Sequence, residues 1–134
     1  MATDLFTADG VARWQARLND SSRFASAAAD WNGALLLVEH EEGAVSPRHT
    51  WVRIGGGRCL EARLGGGADT DAADFVLTAS PRTWGALIAA QTTPALAALT
   101  GRLKLTKGEV FALIPHARAA AELLAAAAED ESKG

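Results

Sequence analysis

The residues that could do chemistry are few in this chain of 134 residues, and their spacing matches neither a catalytic nor a metal site. The single cysteine, Cys59, has no histidine and acid at the spacing of a nucleophilic site, and no serine stands in a GxSxG turn. His40 and His49 could meet across a hairpin and bind zinc with Glu39 or Glu41, but no cysteine pair or third histidine accompanies them. We therefore expect no catalytic residue, no metal and no cofactor.

Ligands that carry phosphate, calcium or nucleic acid are also disfavoured. The glycine runs at 55–57 and 65–67 lack the GxGxxG and GxxxxGK[ST] spacings that cradle a phosphate. Asp69, Asp71 and Asp74 lack the glycine and the distal glutamate of a calcium loop. A formal net charge of −3 provides no overall basic field for nucleic acid, so we expect none as a partner.

Cellular location is predicted from cysteine usage and from targeting signals. One cysteine cannot form an internal disulfide, which is typical of a protein in a reducing compartment. The first residues do not show the basic region followed by an apolar run that marks a signal peptide. No uncharged apolar stretch approaches the roughly 18 residues that span a bilayer. We therefore expect a cytoplasmic protein.

Helical periodicity opens the chain and then changes to strand alternation. Val11, Trp14 and Leu18 recur at helical spacing after Thr7, a predicted N-cap, and a second helix is predicted over 22–30, ended by Gly33. Strands are predicted over 34–40, 49–54 and 58–64, with turns at 42–43 and 55–57, which indicates an antiparallel meander. Alternation predicts one inward set and one outward set: Thr50, Val52, Ile54, Leu60, Ala62 and Leu64 inward, and His49, Trp51, Arg53, Cys59, Glu61 and Arg63 outward.

Two further strands and several helices are predicted in the second half. After a glycine-rich and acidic loop, a strand over 73–79 ends at Ser80, which with Pro81 is a strong helix start, and Thr93 with Pro94 repeats that pattern. These starts predict helices over 81–91 and 94–99, and Gly101 stands where a left-handed C-terminal cap is expected. A strand over 102–106, a short apolar helix before Pro115 and an alanine-rich helix over 117–128 complete the chain.

The later helices carry more apolar surface than one small sheet can cover. Their apolar side chains must pack over the face of the sheet that carries Phe75, Leu77, Leu103 and Leu105. The helical residues concerned are Trp84, Leu87, Ile88, Leu96, Leu99, Phe111, Leu113, Leu123 and Leu124. A well-filled core is the simpler interpretation, and a cavity between helices and sheet is the alternative.

The segment 73–113 resembles the sterol carrier protein type two (sterol-binding domain) family. The matching features are Ala73-Asp74 at the start of a strand, Trp84 at an apolar anchor followed by Leu87 and Ile88, Pro94 at a helix start, and the run Gly101-Arg102-Leu103-Lys104-Leu105. Two features depart from the family pattern. Lys107 adds a residue before Gly108, and Ala89-Ala90-Gln91 replaces the glycine usual near the end of the anchor helix.

The resemblance implies a fold and a function. The implied fold is an α+β domain, here a single domain over 1–134 with a disordered tail at about 130–134, in which a five-stranded, mainly antiparallel sheet carries helices on one face. Its members bind fatty acids, fatty acyl thioesters, sterols or other lipids in a hydrophobic tunnel without transforming them. We therefore predict a non-enzymatic lipid-binding or lipid-carrier protein whose ligand contacts Phe75, Leu77, Trp84, Leu87, Ile88, Leu96, Leu99, Leu103, Phe111 and Leu124, with Gln91 and His116 at the mouth.

Two other functions stay open at this point. The chain could be a protein-interaction or accessory module whose cavity is filled, acting as a homodimer through Trp51 and the small-residue C-terminal helix, or in a complex. It could also use Cys59 or His116 on a bound acyl thioester. A transient contact with a membrane surface is open as well, because Trp51 and several basic residues could share the outer face of the sheet.

Overall fold

The structure is a computed structural model that describes residues 4–41 and 46–128. Its helices and strands are α1 Ala8–Asp20, α2 Ser22–Ala27, β1 Gly33–Glu39, β2 Arg48–Gly55, β3 Arg58–Gly65, β4 Phe75–Ala79, α3 Pro81–Ile88, α4 Pro94–Leu99, β5 Leu103–Lys107, α5 Val110–Leu113 and α6 Ala117–Ala125. Two 3₁₀ turns, Gly67–Thr70 and Ile114–His116, precede β4 and α6. The turn predicted at 42–43 and the tail predicted at 130–134 lie outside the described residues.

The five strands form one sheet in the order β3-β2-β1-β4-β5. Three neighbouring pairs are antiparallel and one, β1 with β4, is parallel. The prediction of a mainly antiparallel five-stranded sheet is therefore confirmed. The central strand β1 is buried on both of its faces from Ala34 to Val38, as expected for a strand with a neighbour on each side and cover above and below.

The helices pack on one face of the sheet and enclose the larger core. This core joins helical side chains to the inward residues of the strands; among its members are Trp14, Leu18, Phe24, Trp84 and Leu123 from helices and Leu35, Leu37, Val52 and Leu77 from strands. A smaller cluster on the opposite face contains no helical residue. On the face that carries the helices, α1 packs against β3, whereas α4 packs against β5.

The faces predicted for β2 and β3 are partly wrong. Trp51 and Cys59, expected to face solvent, are buried, whereas Leu60 and Leu64, expected to face inward, are 49% and 43% exposed. An irregular register between Arg53 and Ile54 pairs Ile54 with Cys59 and so turns the thiol towards the main core.

Trp51 is buried because charged groups cover it. The Arg63 guanidinium lies 5.2 Å above the centre of the Trp51 ring, and the indole N–H donates to the Glu61 carboxylate at 2.8 Å. Asp69 holds Arg63 there, with 2.9 Å between Arg63 Nη2 and Asp69 Oδ1. The outer face of the sheet is therefore closed by its own side chains near Trp51.

Helix starts agree with the sequence, and several helix ends come earlier. The hydroxyls of Thr7, Ser80 and Thr93 cap α1, α3 and α4 by accepting from backbone N–H groups three residues on. The helix predicted over 22–30 ends at Ala27, and Gly33 begins β1 instead of ending that helix. The helix predicted over 117–128 ends at Ala125, and β5 begins one residue later than predicted.

The end of α3 is set by an unusual backbone conformation at Ala90. The helix stops at Ile88, and not at residue 91, because Ala90 adopts a φ of 60°. Two hydrogen bonds close the end: Ala90 N donates to Leu87 O at 3.2 Å, and Gln91 N donates to Ala86 O at 2.9 Å. Gly101 ends α4 in the same left-handed conformation, with a φ of 77°, as predicted.

Candidate functional site

An apolar cavity of about 300 Å³ lies between the helices and the sheet. Its floor is formed by side chains of β1, β4 and β5, namely Leu35, Leu37, Leu77, Leu103 and Leu105. Its roof comes from α4, from the end of α5 with the 3₁₀ turn after it, and from α6. These elements contribute Pro94, Ala95, Ala98, Leu99, Leu113, Ile114, Ala117, Ala120, Leu123 and Leu124. Trp84 of α3 completes the wall. None of the described side chains that line it is charged.

The space is left by small residues at helical spacing. Ala95 and Ala98 are three residues apart on α4, and Ala117 and Ala120 are three residues apart on α6, so each pair shares one helix face. Because an alanine side chain ends at Cβ, these faces do not reach the sheet. The leucines around them keep the helices apart, and the volume between remains open.

Trp84 forms part of the wall without occupying the cavity. Its indole N–H donates to the backbone oxygen of Val38 at 3.0 Å, and Phe6 packs against it with ring centroids 5.9 Å apart. The indole is therefore held against β1 by a satisfied hydrogen bond, as a buried tryptophan requires. Its one polar atom is already used and is unavailable to a ligand.

The position of α6 is fixed from both ends. Trp14 donates its indole N–H to the carbonyl of Leu123 at 2.8 Å, and this carbonyl is among the last four of α6, which lack a partner within the helix. At the other end the His116 ring stacks on Trp31, with centroids 5.0 Å apart and planes within 6° of parallel. Helix α1 and the segment between α2 and β1 thus position the roof of the cavity.

Solved structures with this fold identify the family, although no protein-family model matches the chain and no curated protein is significantly similar to it. A crystal structure of sterol carrier protein 2 matches with a TM-score of 0.81 at 31% identity, over 92% of this chain and 97% of that one. The chain belongs to the sterol carrier protein 2 family.

Two further solved structures extend the comparison. The solution structure of a conserved hypothetical protein from Thermus thermophilus, described as possibly a sterol carrier protein, matches with a TM-score of 0.80 at 31% identity, over 98% of this chain and 95% of that one. Palmitated SCP2L2 from Aedes aegypti shares the fold at 16% identity, with a TM-score of 0.61 over 97% of this chain and all of that one. The family resemblance that the segment 73–113 predicts is therefore confirmed.

Five of the twelve predicted ligand-binding residues lie on the cavity wall of this family member: Leu77, Trp84, Leu99, Leu103 and Leu124. Phe75, Leu87 and Ile88 are buried in the core away from the wall, and His116 is engaged with Trp31. Gln91, Leu96 and Phe111 are exposed to solvent and do not line the cavity. That the five wall residues bind a ligand remains a prediction.

Several wall residues were not predicted as ligand contacts: Leu35 and Leu37, the alanines of α4 and α6, and Pro94, Leu105, Leu113, Ile114 and Leu123. Leu35 and Leu37 sit on β1, which alternation describes only as buried on both faces, so nothing in the pattern marks a cavity side. The alanines of α4 and α6 have thin side chains, which allow a helix either to approach a neighbour closely or to leave room beside it, so composition alone does not mark them as a cavity roof. Their repeated spacing of three, on two helices facing one sheet, was the signal that could have located the cavity roof.

Polar chemistry is sparse around the site. Burial raises the pKa of the Cys59 thiol to about 11, and a hydrogen bond with the backbone of Glu61 opposes this rise only in part. The thiol is therefore protonated near neutral pH and lies on β3, away from the cavity wall. Across residues 4–41 and 46–128, no group of three His, Cys, Asp or Glu side chains could hold a metal ion.

Proposed function

We propose that the chain binds the alkyl chain of a lipid in the cavity between α4, α6 and the sheet, and carries it without chemical change. The observation that carries the proposal is a cavity of about 300 Å³ with an almost entirely apolar wall. Fatty acids and fatty acyl thioesters fit this volume better than a sterol nucleus, because it stands at the lower end of the roughly 300–1,000 Å³ range of ligand pockets.

The free energy of binding would come from the hydrophobic effect alone. Burying about ten methylenes at ~0.8 kcal/mol each supplies about 8 kcal/mol gross. Ordering of the chain and loss of its free motion offset part of this. Dissociation constants in the micromolar range are therefore expected, without any catalytic or charged group in the wall.

Head-group selectivity should be weak. Among the described residues the wall offers no free hydrogen-bonding side chain, since the Trp84 N–H is bound to Val38 and the remaining wall side chains are aliphatic. A carboxylate or thioester inside the cavity would lose its hydration without a partner. The head group must therefore stay at the mouth, and affinity should follow chain length.

The comparisons support this proposal by analogy. The Aedes aegypti protein with the same fold is palmitated, which is the class of ligand proposed for this chain. The open interior also disfavours an accessory module with a filled cavity, and the buried, protonated Cys59 gives no support to acyl-thioester chemistry at that residue. A lone thiol without a disulfide partner supports our proposal of a cytoplasmic location.

Titration of delipidated protein tests the proposal. Isothermal calorimetry with octanoate, laurate and palmitate should give one site per chain, with affinity rising from octanoate to laurate. Methyl laurate should bind within a few-fold of laurate, and cholesterol should bind at least tenfold more weakly than palmitate. Native mass spectrometry supplies the stoichiometry. No saturable binding below about 100 μM, or a preference for the sterol, would contradict the proposal.

A further inference from the structure

The wall of the cavity has an open side and a closed side. On the open side Leu99 is 84% exposed and Ile114 is 55% exposed, and both belong to the roof. On the closed side the wall residues of β1 and Trp84 of α3 are buried. A lipid that keeps its head group in water must therefore enter beside α4 and the 3₁₀ turn, with the end of its alkyl chain directed to the closed side.

Trp84 stands where the floor of the cavity ends on β1. The last floor residue of this strand is Leu37, and the Trp84 indole N–H donates to the backbone oxygen of the next residue, Val38, at 3.0 Å. Glu39, which follows, does not line the cavity, and its carboxylate accepts from Arg48 Nε at 2.7 Å. The indole is thus fixed between the apolar floor and a charged end of the sheet.

Phe6 supports Trp84 from outside the cavity wall. Its ring is 5% exposed, packs against the indole with 5.9 Å between centroids, and does not line the cavity. The Arg48 guanidinium lies over the Phe6 ring, 5.5 Å from its centre. Thr50 of β2 holds the same segment, because its hydroxyl donates to the Leu5 carbonyl. The segment before α1 therefore backs the indole with a second ring.

Trp84 is the rigid member of the closed side. The other buried wall residues are Leu35, Leu37, Leu77, Leu103, Ala120, Leu123 and Leu124. A leucine can change its rotamer to admit another methylene of a ligand. Movement of the indole would instead break its buried hydrogen bond and displace Phe6. An alkyl chain that reaches Trp84 therefore stops there.

We propose that Trp84, backed by Phe6, sets the maximum length of the alkyl chain that the cavity accepts. This inference rests on the proposed function and adds the residues that determine its specificity. Up to the limit, each methylene that enters raises the affinity about fourfold. Beyond it, further methylenes stay outside the mouth and change the affinity little. Room for about ten methylenes places the limit near laurate.

Calorimetry with saturated fatty acids of eight to sixteen carbons tests the limit on delipidated protein. In the parent protein the affinity should rise as far as laurate and then change less than twofold from laurate to myristate. Trp84→Leu removes the indole and should bind myristate at least fivefold more tightly than laurate, since two further methylenes enter. Trp51→Leu is the matched control: Trp51 is also buried with its N–H bonded, but it lies on the opposite face of the sheet, so the parent profile should persist.

The supporting role of Phe6 has its own test. Phe6→Ala leaves the wall residues unchanged and should move the limit towards longer chains by a smaller step than Trp84→Leu does. Phe6→Leu restores an apolar support and should return the profile of the parent protein. Phe24→Ala removes a ring that is equally buried in the core but does not line the cavity, and it should lower stability without moving the limit.

Tryptophan quenching by brominated laurate provides a second measurement, made on the parent protein. Bromine at the end of the chain, in 12-bromododecanoate, should quench the emission more than bromine beside the carboxylate, in 2-bromododecanoate. The difference should vanish in Trp84→Phe.

Thermal unfolding verifies that each variant is folded, and if Trp84→Leu does not fold, Phe6→Ala and the quenching decide. The inference is overturned if the parent protein binds fatty acids but neither Trp84→Leu nor Phe6→Ala moves the limit, or if the two brominated acids quench equally. A parent protein that binds no fatty acid overturns the proposed function together with this inference.

Discussion

Filling the cavity from its roof should separate ligand binding from stability. Ala120 is buried on α6, and its side chain lines the cavity, so leucine at this position adds three carbon atoms to space that the proposed ligand would occupy. Displacing about three methylenes of ligand at ~0.8 kcal/mol each removes about 2.4 kcal/mol of binding free energy. That loss corresponds to a dissociation constant about fiftyfold higher.

The same substitution should leave the protein at least as stable as the parent. Leucine is nearly as good a helix former as alanine, and its added carbons would contact the cavity wall without displacing a packed side chain. In a filled core the extra carbons would instead cost about 1–3 kcal/mol. Ala120→Leu therefore distinguishes an open interior from a closed one.

The assay pairs laurate calorimetry with urea unfolding for the parent protein, Ala120→Leu and Ala121→Leu. Ala121 is the matched control because it precedes Glu122 on the same helix, is half-buried and does not line the cavity. The control should retain the affinity of the parent protein. Lower stability of Ala120→Leu together with unchanged affinity would refute the existence of a ligand-accessible cavity.

Three further predictions concern the surrounding structure. Ala90→Gly should raise the free energy of unfolding in urea by about 0.5–1 kcal/mol. The strain of an alanine in the left-handed region exceeds the ~0.4–1 kcal/mol by which glycine stabilises the unfolded chain through added backbone freedom. An unchanged urea midpoint would argue against that backbone conformation. The Arg63 guanidinium and then the Gly66 N–H lower the pKa of Asp69 from 3.8 to about 2, so this carboxylate stabilises the fold above about pH 4 and less as the pH falls through 2. Thermal melts of Asp69→Asn should accordingly show a deficit in stability at pH 6, under about 1 kcal/mol for this partly exposed pair, that shrinks as the pH falls through 2. A deficit independent of pH would count against this assignment. Ellman's reagent at pH 8 should label Cys59 only as fast as the protein opens, since burial raises its pKa to about 11, and rapid labelling of native protein would disagree with that burial.

Local patterns predicted most of the elements correctly because the forces behind them are local. A threonine or serine hydroxyl caps a helix through a bond to a backbone N–H three residues away, and Thr7, Ser80 and Thr93 all do so. Alternation likewise identified β2, β3 and β5. The errors at Trp51 and Cys59 have a non-local origin: a guanidinium from the neighbouring strand covers Trp51 on the outer face, and an irregular register turns Cys59 inward.

The amino-acid sequence by itself determined the order of helices and strands, the apolar surplus of the later helices and the resemblance to the sterol carrier protein 2 family. Only the tertiary structure decided that about 300 Å³ stays open and that Leu35, Leu37 and the alanines of α4 and α6 line it. The physical reason is that an apolar pattern is the same for a filled and an unfilled core. Empty volume depends on the distance between helix and sheet, which many distant contacts set together, among them the bond from Trp14 to Leu123.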